Sequence, residues 1–229
     1  MSTAGQQQQR YEVRFEWGSA GLDAIAEGVG AVVVVQGIAG GHPIATAIEA
    51  HGRVRAEDWV VDVARTTGAR VFAASLRNRT AVAKRVLQHQ VDRGDRVRVA
   101  LVGATAQDAG GATGVESRGA ADPDGDAAES AGAHAGAGGS GFAVDVLFAT
   151  GAVIDALAAV GIDYASPEAA AASAAFTGLE RAVGHLYTAS TAGQRLIDRD
   201  KRDAVVAAGK VDASELVPVL GDDGYWSAV

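Results

Sequence analysis

Two positions could do related chemistry, and only one carries a charge. In VVVVQGIAGGHP, from Val32 to Pro43, four valines run into Gln36, an amide without useful acid–base chemistry, and then into a glycine-bearing turn. When VVQGIAGGHPIATAIEAHG is laid over AVDVLFATGAVIDALAAVG, Asp145 falls on Gln36 and Gly161 on Gly52. If this echo is a true repeat, two similar βα units face one another and both turns border one cleft, with a carboxylate on one side alone. Ordinary α/β patterning in an alanine-rich chain accounts for the same match. Crevices at the carboxyl ends of strands are where open α/β sheets take ligands, and helix N-termini there favour anions.

Other chemistries are excluded by residue type and spacing. The chain has no cysteine, which removes thiolate metal sites, disulfides and cysteine nucleophiles and agrees with a reducing compartment. His42, His51, His89, His134 and His185 are scattered without zinc-type spacing. No G-x-x-x-x-G-K-[ST] loop and no G-x-S-x-G elbow occurs. GAGGSG, from Gly136 to Gly141, has dinucleotide-loop spacing, but a strand-like FAVDVLF follows it where a helix is required, so it reads as a linker. DPDGDAAE, from Asp122 to Glu129, alternates acids as a calcium loop does, yet Glu129 comes too early for the bidentate ligand.

The elements that must position any site alternate between strand and helix. Strands are expected at 11–15, 32–35, 69–75, 97–102 and 142–148. Helices are expected over GLDAIAEG, after Pro43, over 57–65, 80–89 and 151–160, and from Pro167 onward, where Ser166 supplies the cap and Phe176, Leu179, Val183 and Leu186 one apolar stripe. This order predicts a layered α/β/α fold with a largely parallel or mixed sheet. Residues 1–229 read as one α/β domain, with 10–102 and 142–229 as two similar βα lobes if the echo is real. Between them, 103–141 holds six acidic residues against the single base Arg118 in a background of Gly, Ala, Ser and Thr, and is expected to be a mobile insertion. With 229 residues, 48% of them hydrophobic, the chain can bury a substantial core. A net charge of −8 argues against nucleic acid, and no apolar run is long enough for a membrane span. The first residues, MSTAGQQQQR, lack the blocks of a signal peptide, so a cytoplasmic location is expected. A homo-oligomer stays open.

SLRNRTAVAKRVL (75–87), the strand RVALVGA, DVLFATGAVIDAL (145–157), SPEAAAA (166–172) and the closing AGQRLIDRDKRDAVVAAGKVDASELVPVLGDDGYW together resemble the C-terminal half of the 2-phosphosulfolactate phosphatase family. The resemblance covers about 69–226, interrupted by the Gly/Ala tract. It implies a magnesium-dependent hydrolase that removes phosphate from a small sulfonated 2-hydroxy acid. Arg77 and Asn78 match the family's L-R-N element, and Asp145 the carboxylate of its Glu-Asp pair, with Val144 in place of the Glu. On this reading Arg77, Asn78 and Asp145 are the catalytic residues and Asp145 the Mg²⁺ ligand. Arginine offers a fork for phosphate or sulfonate, and asparagine a donor and an acceptor.

Departures from the family cluster in the first half. Gln36 stands where the first strand's Asp belongs, Gly40, Gly41 and His42 replace a threonine-rich turn, and the Gly-Glu-Arg-Gly-Gly and Gly-Asn-Ser-Pro elements are missing. Two functions follow: a phosphatase with a reduced site, or a catalytically degenerate relative that binds a small anion or a protein partner. In bland terms, Asp145 caps a turn and Arg77 is a solvated surface side chain.

Overall fold

The computed structural model describes residues 8–38, 43–105, 108 and 142–229. Seven strands form one mixed sheet in the order β1-β5-β2-β4-β6-β7-β3. They are β1 (Val13–Trp17), β2 (Ala31–Val35), β3 (Arg53–Arg55), β4 (Arg70–Ala74), β5 (Val99–Gly103), β6 (Pro218–Leu220) and β7 (Tyr225–Ala228). The first four in that order are mutually parallel, whereas β6, β7 and β3 pair antiparallel.

Residues of β2 alternate between two cores. Val33 and Val35 join Phe15, Phe72 and Leu101 on one face, and Val32 and Val34 join Val71, Ala100 and Val102 on the other. All five residues of β2 are buried, which is why it reads as a continuous β-branched run. The second face is covered by α1 (Gly18–Ile25), α2 (Ile44–His51) and α3 (Asp58–Thr67), through Leu22, Ile25, Ile48, Val60 and Val63. The first is covered by α4 (Arg79–Arg93), α5 (Val144–Ala159) and α6 (Pro167–Leu179), through Val82, Val86, Val153, Leu157 and Ala169. The expected α/β/α layering is therefore present. A third cluster gathers Ile38, Leu76, Phe148 and Phe176 against the short helices α7 (Val183–Ala189), α8 (Thr191–Ile197) and α9 (Arg202–Ala208).

Three expectations need correction. The segment from 142 to 148 is not a strand: Val144 begins a sixteen-residue helix that continues through the expected helix 151–160. This helix packs on the sheet, on α6 and on the third cluster, so it is apolar nearly all round and lacks the amphipathic period that marks a surface helix. The echo of the first βα unit therefore fails at the strand. The helix from Pro167, capped by the Ser166 hydroxyl as expected, stops at Leu179. A 3₁₀ turn over Glu180–Ala182 separates it from α7. Leu179 is consequently 44% exposed, while Phe176 and Val183 are buried.

Most of the 103–141 tract, including GAGGSG and DPDGDAAE, lies outside the described residues, as do Gly40, Gly41 and His42.

Candidate functional site

Strands β1, β5, β2 and β4 end at one edge, and α1, α2 and α4 follow β1, β2 and β4 there. Gln36 is the first residue past β2, and its N–H continues the ladder by donating to the Ala74 carbonyl at 2.8 Å. Its side-chain oxygen accepts the N–H of Ile44, the first residue of α2, at 2.8 Å. The preceding Pro43 supplies no side-chain cap, so the amide of Gln36 performs that function across the turn. Gln36 thus acts as a helix-capping residue, a role that needs no charge.

The next two residues are fitted to Asp145. A Cβ on Gly37 would overlap the Asp145 carboxylate, and the Ile38 N–H donates to Asp145 Oδ2 at 2.7 Å. Asp145 lies in the first turn of α5, where the helix dipole favours a carboxylate, and it is 1% exposed. The Tyr187 hydroxyl donates to its backbone carbonyl at 2.9 Å. Complete burial, then the nearby Asp145 charge, pushes the Tyr187 phenol well above its ordinary value. Asp145 therefore meets the turn after β2 from the first turn of a helix, not from a second strand and turn.

Asn78, fully buried, is the structural keystone of the turn after β4. Its Oδ1 accepts from the N–H and hydroxyl of Ser75 at 2.8 and 3.2 Å, and its Nδ2 donates to the Leu216 carbonyl at 2.9 Å and the Ala73 carbonyl at 3.5 Å. Together with Ser75 it forms a capping box around the 3₁₀ turn Leu76–Asn78. Every polar atom of this side chain is engaged within the fold.

Arg77 differs from both. Its side chain is 16% exposed, yet its buried Nε has no hydrogen-bond partner among the described residues. Nη1 donates to the Thr46 hydroxyl at 3.3 Å, and Nη2 stands 3.7 Å from Glu49 Oε2. Glu49 Oε1 accepts from the Ser214 hydroxyl at 2.7 Å, and the Ser214 N–H donates to the Arg77 carbonyl at 2.9 Å. Thr46, Glu49 and Ser214 were not singled out from sequence. The three-residue spacing of Thr46 and Glu49 on one helix face was the available signal, but nothing local tied that face to Arg77.

Further along the edge, Asp108 accepts from the Ser19 N–H at 3.1 Å, the Thr105 N–H at 2.8 Å and the Thr105 hydroxyl at 2.6 Å. Burial raises its carboxyl, but these bonds outweigh burial and hold it below the usual carboxylate range. Glu57, the residue before α3, is pushed up by burial, and the nearby Asp108 charge adds to the rise.

A magnesium site does not fit these residues. Among the described residues no three His, Cys, Asp or Glu side chains group as metal ligands, Asp145 is closed from solvent and already engaged, and Gln36 is neutral and capping a helix. A hard cation depends on several anionic oxygens. Of the histidines, His89 is bonded to the Gly30 carbonyl at 3.2 Å, and burial lowers its basicity. No family model matches this chain, and no curated protein matches it.

Proposed function

We propose that the chain binds a small phosphate- or sulfonate-bearing acid at the carboxyl edge of its sheet, with Arg77 as the anion contact, and does not turn it over with magnesium. One observation carries this reading: the Arg77 side chain is largely withdrawn from solvent and, among the described residues, makes a single long hydrogen bond and one loose ion pair, leaving its Nε–H unsatisfied. A buried donor without a partner is costly, and the planar fork of arginine matches the oxygens of a phosphoryl or sulfonyl group. The C-terminal resemblance supports an anionic ligand of this class, because Arg77 stands in the L-R-N element. Turnover of the implied kind is disfavoured by the donor set, since Asp145 and Asn78 are both committed to holding neighbouring backbone and no three His, Cys, Asp or Glu side chains group as metal ligands among the described residues.

Calorimetric titration of the full chain with inorganic phosphate tests the proposal. Saturable binding that is indifferent to added magnesium and at least about tenfold weaker in Arg77→Ala is the expected result, the loss of one charge-assisted bidentate contact. Magnesium-dependent release of phosphate from a phosphorylated 2-hydroxy acid, abolished by Asp145→Asn, would overturn it in favour of the phosphatase. No binding of phosphate by the wild type would overturn the anion site itself.

A further inference from the structure

We infer that the ligand of Arg77 is an acid carrying a hydroxyl or ammonium donor beside its anionic group, and that Glu49 receives that donor. The inference rests on the anion-binding reading and adds a specificity-determining residue to it. Glu49 and Arg77 are of opposite charge, yet 3.7 Å separates Oε2 from Nη2, so they lie close without a hydrogen bond between them. Glu49 is held in that place from its other side: the Ser214 hydroxyl reaches Oε1 at 2.7 Å, and Ser214 is itself pinned to the Arg77 backbone. A carboxylate accepts roughly four hydrogen bonds, so Oε2 keeps acceptor capacity next to an arginine with donors to offer. The Glu49 side chain is 38% exposed, open to a ligand that reaches Arg77.

This juxtaposition discriminates between anions. A bare anion drawn to the guanidinium must come to rest beside a second negative charge, which opposes it. An anion that brings an O–H or N–H of its own converts that opposition into a charge-assisted hydrogen bond. The pair then grips both ends of a small bifunctional acid, and rejects the analogue without the donor because Glu49 is left facing like charge.

Two phosphate monoesters of equal charge, glycerol 1-phosphate and n-propyl phosphate, provide the test in calorimetric titrations of the full chain. Glycerol 1-phosphate is expected to bind about fivefold tighter to the wild type, the increment of one charge-assisted bond in an open site. Glu49→Ala and Glu49→Gln are expected to tighten n-propyl phosphate, with Glu49→Ala also removing the preference, and thermal melting of both variants verifies that the fold is retained. Equal affinity of the two esters for the wild type, or a preference that persists in Glu49→Ala, would overturn the inference. If both esters bind equally and both are lost in Arg77→Ala, the anion site stands and the role of Glu49 falls. Failure of both esters to bind the wild type and both Glu49 variants overturns both.

Discussion

Arg77 and Arg79 stand two residues apart, with side chains 16% and 14% exposed, and they are used in opposite ways. Arg79 is saturated with partners. It bonds Asp155 of α5 at 2.9 Å, Asp212 at 3.1 Å and Glu180 at 3.4 Å, and lies over the Phe176 ring at 4.9 Å. It ties α4, α5, the turn after α6 and the segment before β6 together. Among the described residues the Arg77 side chain has one long hydrogen bond and one loose ion pair. Similar burial with unequal bonding separates a clamp from a contact held ready for something else. Between them, Asn78 faces inward and joins the turn to the C-terminal segment through Leu216.

That contrast sets an order of expected effects on thermal melting. Asn78→Ala leaves the Ser75 N–H and the Leu216 carbonyl without partners in a buried turn, at a cost of about 3 kcal/mol, which lowers Tm by roughly 6–12 °C. Arg79→Ala leaves three carboxylates near one another, all partly solvated, and is expected to cost about 2 kcal/mol, or roughly 4–8 °C. Its phosphate affinity should match the wild type's. Arg77→Ala is expected to move Tm by less than about 2 °C, because it breaks little and relieves an unsatisfied donor. A large loss of stability in Arg77→Ala, or a loss of phosphate binding in Arg79→Ala, would erase the distinction between the two arginines.

The parts of the fold visible in the sequence were those with local signals. Valine runs marked β2, and Ser166 followed by Pro167 marked the start of α6 at the residue. Three-residue strands such as β3 and β6 are shorter than any periodicity can register, and they exist because they pair with residues far away in the chain. The strand expected at 142–148 failed because a helix buried on several sides presents apolar residues at every spacing. The site divided along the same line. Arg77 could be picked out because Leu76, Arg77 and Asn78 form a contiguous string that matches an L-R-N element. That Gln36 caps α2 and that Asn78 reaches Leu216 could not be foreseen, since each bond depends on how distant segments fold back on one another.

The sheet order also dictates a sequence of events in folding. Strand β3 pairs with β7 alone, and β4 gains its second neighbour from β6, so residues 53–55 and 70–74 wait for 218–228. Closing such distant pairings is slow compared with forming helices. During synthesis, which delivers the N-terminal strands first, the β4 edge is left without its second neighbour and able to template pairing with another chain until the last hairpin arrives. Val71 and Phe72 belong to that strand and are buried once β6 has docked.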